Sequence, residues 1–115
     1  MSTTTNVFES VYPIQEEVES HPAWKGNITG LNAEDLLQDK PAFTFLIRKG
    51  EHPMNYYITF VQKDGSFKHQ PLLIMHSPYG WSYRNSCKSV PTDLPFVNFI
   101  HLMMHCNKDE CTPLS

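Results

Sequence analysis

The stretch FTFLIRKG at residues 43–50 carries the strongest strand signal in this sequence. Aromatic, β-branched and other apolar side chains follow one another up to Ile47, which predicts a strand that is covered on both faces. Arg48 comes next, and the alternation of side chains along a strand places it on the same face as Leu46 and Thr44. Burying an unpaired guanidinium is costly, so either the strand ends here or a fixed anion binds Arg48. We favour the second interpretation.

Two more strands follow this stretch. Residues 56–61 and 67–74 are rich in aromatic and β-branched side chains. The sequence KDGS at residues 63–66 is a hairpin signal, because Asp-Gly adopts positive φ at low cost. Residues 42–74 are therefore predicted to form a central antiparallel sheet of three main strands.

Helices are predicted before and after this sheet. Residues 32–38 have an apolar stripe, and Thr29 or Asn32 can cap the start of this helix. Residues 94–105 carry apolar side chains at helical spacing, and Asp93 can cap them. The predicted fold class is α+β, with the central antiparallel sheet flanked by two α-helices on opposite faces.

The rest of the chain divides into a flank, a tail and a long connection. We expect residues 1–20 to be a partly mobile N-terminal flank, in which Pro13 starts a short helix. Residues 21–106 are predicted to form the domain, and residues 107–115 a mobile C-terminal tail. Residues 75–93 have no clear pattern and are predicted to be an irregular connection, a kind of segment that often carries function.

Composition narrows the class of protein. A chain of 115 residues is long enough for one modest core, and its net charge of −3 argues against a general binder of nucleic acid or anionic membranes. The three cysteines, Cys87, Cys106 and Cys111, are an odd number, which favours reduced thiols. No signal peptide or membrane span is evident, so we expect a soluble, cytoplasmic protein.

The order of several motifs resembles the SH2 domain family, the modules that bind phosphotyrosine. The resemblance covers residues 24–105, and its parts come in the family's order and spacing. It rests on Trp24, Gly26, Ile28, Ala33-Glu34, Leu36-Leu37, Phe45-Leu46-Ile47-Arg48, His69 and the helix predicted at 94–105.

This resemblance implies a phosphate site centred on Arg48. Phosphotyrosine carries about −1.5 to −2 charges at neutral pH, and a guanidinium can bond two of its oxygens at once. By resemblance, Gly50 and Glu51 line a phosphate-binding loop, whose backbone N–H groups would form an anion nest at residues 49–55. Tyr57 and His69 are implied as the walls of the pocket.

Three positions depart from the family's pattern. Gly30 stands where an Arg is usual, Gly50 where a Ser is usual, and Pro71 where a Lys or Arg is usual. Other cations near the pocket are expected to compensate for the missing contacts. These are Lys25, Lys49 and His52.

The connection at residues 75–93 also lacks the family's pattern. We expect Tyr79, Trp81 and Tyr83 to form an aromatic cover over a bound peptide. Divergence of this kind resembles the SH2 domains of translocated bacterial effectors, which would act in the host cytoplasm. The resemblance implies a monomeric, non-catalytic module without a cofactor that binds tyrosine-phosphorylated peptides or proteins.

Two alternatives stay open on the sequence. The C-terminal His101, His105, Cys106 and Cys111 could build a small zinc- or thiol-dependent protein, since the two histidines lie one helical turn apart. Against this, the paired Cys-x-x-Cys spacing of zinc sites is absent. Alternatively, the chain is an SH2-like scaffold that has lost phosphotyrosine binding.

Overall fold

The computed structural model describes residues 7–78, 80–85, 88–105 and 110–115, with backbone alone for residues 7–12. These residues form three helices and one sheet of six strands. The helices are α1 (Val7–Glu19), α2 (Gly30–Leu36) and α3 (Phe96–Met104), and the strands are β1 (Thr44–Lys49), β2 (Asn55–Val61), β3 (Phe67–Ser77), β4 (Gly80–Arg84), β5 (Ser89–Pro91) and β6 (Thr112–Pro113).

The strand order in the sheet is β5-β4-β3-β2-β1-β6. Neighbouring strands are antiparallel except β1 and β6, which are parallel. The predicted α+β class and the predicted antiparallel sheet at its centre are confirmed. In the register, Arg48 lies opposite Tyr57, and Thr59 lies opposite both Leu46 and His69. Because side chains alternate along a strand, this register puts all of these residues on one face of the sheet.

Each face of the sheet is covered by a buried apolar cluster. The smaller cluster lies under α2 and contains Ala33, Leu37, Leu46 and Val61. The larger cluster lies on the opposite face, where α1 and α3 pack, and it includes Val18, Phe45, Ile47, Tyr56, Ile58, Phe99 and Ile100. This double coverage is the reason that β1 is apolar on both sides.

Local signals account for the start of α2 and for the hairpin. The Thr29 hydroxyl accepts a hydrogen bond from the Asn32 backbone N–H at 3.1 Å, so Thr29 is the N-cap and α2 begins two residues before the predicted position. In the hairpin, Gly65 has a φ of +86° and the Gln62 N–H donates to the Ser66 carbonyl oxygen at 2.7 Å.

Two segments for which no strand was predicted contain strands. Strand β3 continues to Ser77, and the connection that follows it contains β4 and β5. In the C-terminal segment, the Thr112 N–H donates to the Phe43 carbonyl oxygen at 3.0 Å, and the Leu114 N–H donates to the Phe45 carbonyl oxygen at 2.8 Å. Strands of two to five residues have too little periodicity to be recognised in a sequence.

The helices α1 and α3 differ from their predictions at their N-termini. Helix α1 begins at Val7 and contains Pro13 within it, whereas the helix was expected to begin at Pro13. Val18, toward the C-terminal end of this helix, is fully buried, and tertiary packing of this kind stabilises helices that contain a proline. Helix α3 begins after Pro95 without a side-chain cap, so the predicted cap at Asp93 is wrong. None of the described helices is long and apolar enough to cross a membrane.

Candidate functional site

Three neighbouring side chains hold the partly buried guanidinium of Arg48. Its Nε donates to Thr59 Oγ1 at 3.2 Å, and its Nη2 lies 3.2 Å from His69 Nδ1. Its Cζ lies 4.5 Å from the ring centroid of Tyr57. Thr59 and Tyr57 come from β2 and His69 from β3, so the predicted face of Arg48 is the observed one.

The two tethered nitrogens of Arg48 lie on the same edge of the guanidinium. A guanidinium presents five N–H donors in a rigid fork, and the edge formed by Nε and Nη2 is separate from the edge formed by Nη1 and Nη2. No acceptor for Nη1 is found among the described residues. The arrangement therefore satisfies one edge of Arg48 within the protein and leaves the other for a bidentate anion.

Arg48 borders a surface cleft of about 530 Å³. Burial lowers the pKa of its guanidinium, but an Arg stays protonated at neutral pH. Within the described ranges, no carboxylate lies within ion-pair distance of Arg48; the carboxylate of Glu34 is bonded to His69 instead, at 2.7 Å. The cleft is lined by Asn27, Ile28, Thr29, Arg48, Lys49, Gly50, Glu51 and Tyr57.

The loop between β1 and β2 differs from the predicted anion nest. The backbone N–H of Gly50 donates to the Asn55 carbonyl oxygen at 2.8 Å, and that of Lys49 donates to the Gly26 carbonyl oxygen at 2.9 Å. A Cβ on Gly50 would lie 2.6 Å from the Asn55 carbonyl oxygen, so this glycine permits close approach of backbone to backbone, not to an anion. The amides of Lys49 and Gly50 are therefore occupied within the protein, and the anion nest expected at residues 49–55 stays a prediction for the other amides of the loop.

The remaining residues of the predicted pocket are partly assembled. Lys49 and Glu51 line the cleft, while His52 is exposed and outside its lining. Sequence reasoning missed Thr59 as a partner of Arg48. The signal in the sequence was that Thr59 is a polar residue inside the apolar strand β2. It lies two positions from Tyr57 and therefore on the same face of the strand.

The predicted aromatic cover over a peptide is only partly accessible. Tyr83 is fully buried and its hydroxyl donates to Glu17 Oε2 at 3.1 Å, so its prediction as a peptide contact is wrong. Its ring packs against Phe96 and Phe99, which makes it a core residue. Trp81 is half-buried, with its ring centroid 4.7 Å from that of His76. Tyr79 lies outside the described residues.

The C-terminal histidines and cysteines do not gather into a metal cluster within the described part of the chain. No group of three His, Cys, Asp or Glu side chains there could hold an ion. His101 Nδ1 lies 3.3 Å from Cys111 Sγ, but this sulfur is disulfide-bonded, contrary to the expected reduced thiols. His105 ends α3 in a left-handed conformation, and Cys106 lies outside the described residues.

Comparisons with known proteins agree with this fold. The family model for the SH2 domain matches residues 24–92, so the chain belongs to the SH2 domain family. Members of this family are phosphotyrosine-binding signalling modules that are generally non-catalytic. A search of curated proteins gave no significant match. The bacterial-effector origin is not tested by these findings and stays a prediction.

Many solved structures are similar to the chain, and two of them illustrate the extent of the match. One is the solution NMR structure of the SH2 domain of a CRK/CRKL homologue from Monosiga brevicollis, with a TM-score of 0.61 and 20% identity, covering 83% of this chain and 88% of that chain. The other is CED-2, with a TM-score of 0.60 and 18% identity, covering 87% of this chain and 62% of that chain. At these identities the similarity establishes a shared fold.

Proposed function

We propose that this chain binds tyrosine-phosphorylated peptides and that Arg48 holds the phosphate. The observation that carries the proposal is the tethering of Arg48 by Thr59 and His69, with no carboxylate in ion-pair distance among the described residues. A fixed cation without an internal counter-ion is stabilised by an anion from outside. A phosphate can accept two hydrogen bonds from the edge formed by Nη1 and Nη2.

The partial burial of Arg48 and the lining of the cleft favour a phosphate that is carried on an aromatic ring. Arg48 is partly buried, so the phosphate must reach inward, and a phenyl ring places it farther from the peptide backbone than a serine side chain does. Tyr57 supplies an aromatic wall beside the guanidinium. Of the residues expected to compensate for the departures at Gly30, Gly50 and Pro71, Lys49 lines the cleft.

The rest of the proposed function follows the family. The chain would be a monomeric, non-catalytic module without a cofactor, and it would bind neither nucleic acid nor membranes, in agreement with its net charge of −3. Its partners would be tyrosine-phosphorylated proteins of the cytoplasm, the host's if the protein is a translocated effector. Trp81 stays a proposed peptide contact, because part of its surface is exposed.

The proposal is tested with a fluorescent peptide library that carries one fixed phosphotyrosine between degenerate positions, and with the same library unphosphorylated. We expect the wild type to bind the phosphorylated library alone and Arg48→Leu to lose this binding while it remains folded. Lys63→Leu is the matched control, since it removes an exposed cation from the hairpin.

Lys63→Leu should bind as the wild type does, and binding should weaken as salt is added. Equal affinity of the wild type and Arg48→Leu would overturn the role of Arg48. A wild type that binds neither library would instead favour a scaffold that has lost its ligand.

A further inference from the structure

Helix α2 brings the carboxylate of Glu34 to the outer nitrogen of His69. Glu34 Oε2 lies 2.7 Å from His69 Nε2, and the two residues are 35 positions apart in the sequence. Gly30 lies one helical turn before Glu34 on the same side of α2. A Cβ on Gly30 would be 3.4 Å from Arg48 Nη2 and 3.5 Å from His69 Cε1. The helix therefore lies directly against the guanidinium and the imidazole.

The hydrogen bonds around His69 are consistent with one tautomer. Arg48 Nη2 can only donate, so His69 Nδ1 accepts from it at 3.2 Å. The Thr59 hydroxyl, 2.9 Å from the same nitrogen, can share the single lone pair of Nδ1 as a second donor while its oxygen accepts from Arg48 Nε. With Nδ1 as the acceptor of a neutral imidazole, Nε2 carries the hydrogen. That hydrogen is donated to Glu34, which accepts it as a carboxylate.

We infer that Glu34 is a positioning residue of the pocket, which fixes the tautomer of His69 and thereby orients Arg48. In the other tautomer, the N–H at Nδ1 would face the N–H groups of Arg48 Nη2 and would repel them. The guanidinium would then turn away from the orientation that leaves the edge of Nη1 and Nη2 free. The expected effect of Glu34 on phosphopeptide binding rests on the proposed function, whereas its effect on the tautomer of His69 does not.

Charge repulsion alone would make Glu34 weaken phosphate binding, whereas a positioning role would make it strengthen phosphate binding. A carboxylate near a bound phosphate repels it, so removing that charge should strengthen binding if Glu34 acts through its charge alone. If Glu34 positions Arg48 through His69, removing it should weaken binding. The sign of the change therefore separates the two roles.

The first measurement is made without a ligand. Long-range proton–nitrogen NMR spectra of the imidazoles show which ring nitrogen of His69 carries the hydrogen, and a His69→Gln variant assigns the signal. We expect the hydrogen on Nε2 in the wild type and a mixture of tautomers in Glu34→Ala. A wild type with the hydrogen on Nδ1, or a Glu34→Ala variant with the wild-type spectrum, would overturn the inference.

The second measurement is the affinity for the phosphotyrosine library. We expect Glu34→Ala to weaken binding about tenfold, since hydrogen bonds of charged groups have about that effect, and Glu34→Gln to restore part of it because the amide oxygen can still accept from Nε2. Asp35→Ala is the matched control: it removes the neighbouring, exposed carboxylate of α2 and should leave the affinity unchanged.

Each result of this titration has a fixed meaning. Equal or tighter binding by Glu34→Ala would overturn the inference, as would an equal loss in Asp35→Ala. If the wild type binds no phosphotyrosine, the proposed function fails, and the NMR spectra still decide whether Glu34 sets the tautomer of His69.

Discussion

Thr59, whose side chain is fully buried in β2, accepts a hydrogen bond from Arg48 Nε at 3.2 Å. A buried hydroxyl needs hydrogen-bond partners, and here they are a cation and the Nδ1 of His69. The contact joins the apolar interior of the sheet to the floor of the cleft. The orientation of Arg48 therefore depends on a residue of the buried core.

Replacing Thr59 by Val tests this contact. The change keeps the shape of the side chain but leaves Arg48 Nε without its acceptor, which costs about 1 kcal/mol and should weaken phosphopeptide binding roughly fivefold. The measurement is a fluorescence titration with the phosphotyrosine library. Thr44→Val is the control. Thr44 is a buried threonine on the same face of the sheet as Thr59 and Arg48, but it lies two positions before Leu46 in β1 and so farther from the guanidinium. If both variants bind equally well, Thr59 does not support Arg48.

Glycine at position 50 is required by the close approach of two backbone segments. In Gly50→Ala the new Cβ would lie 2.6 Å from the Asn55 carbonyl oxygen, so we expect a loss of about 2 kcal/mol in the free energy of unfolding. In Gly30→Ala the nearest atom outside the helix is at 3.4 Å, an ordinary contact, and stability should be kept. Urea unfolding of both variants checks this, and equal stabilities would contradict the geometry.

Helix α1 belongs to the folded unit, although the family match begins at Trp24. The hydroxyl of Tyr56 donates to Glu19 Oε2 at 2.6 Å, and burial together with this bond raises the pKa of Tyr56. Val18→Asp would bury a carboxylate beneath the helix and should lower the free energy of unfolding by roughly 3 kcal/mol. Val97→Asp, on the exposed face of α3, is the control and should change it little. Equal unfolding midpoints would show that α1 is dispensable.

His21 should make the domain less stable in mild acid. Burial lowers the pKa of His21 from its usual 6.5, although Glu17 pulls it upward, and its Nδ1 accepts a hydrogen bond from the Ala23 N–H at 3.0 Å. The unfolded chain therefore binds the proton more readily than the folded one, so stability falls as the pH drops below about 6.5.

Urea unfolding between pH 7.5 and pH 5.5 measures this effect. His21→Asn keeps an acceptor for the backbone N–H but does not titrate, so its stability should depend less on pH than that of the wild type. His52→Asn, at an exposed position, should keep the wild-type dependence. A wild-type dependence in His21→Asn would assign the effect to another group.

The sequence was sufficient for the centre of the sheet. The central strands are long enough for the alternation of their side chains to be recognised, and the Asp-Gly signal predicts the hairpin that connects two of them. Arg48 could therefore be assigned to the correct face of the sheet. Strands β4 to β6 were missed because their stability comes from pairing with strands already in place, which no local pattern reveals. Tyr83 was misassigned for the same reason, since its burial depends on α1 and α3.

The site was predictable where it follows the family's motifs. The resemblance and the strand period predicted that Tyr57 and His69 lie beside Arg48, and the two side chains do contact it. The contacts of Thr59 and Glu34 were not, because they depend on the register of β2 with β3 and on the docking of α2. The occupation of the Lys49 and Gly50 amides was not predicted either, because their acceptors are the carbonyl oxygens of Gly26, before α2, and of Asn55, at the far end of the loop.

Calorimetric titration with free phosphotyrosine is the most direct test of the central claim, that the untethered edge of Arg48 binds the phosphate. We predict saturable binding by the wild type, and at least tenfold weaker binding by Arg48→Lys, because an ammonium group keeps the charge but not the bidentate geometry. Wild-type affinity in Arg48→Lys would contradict the account.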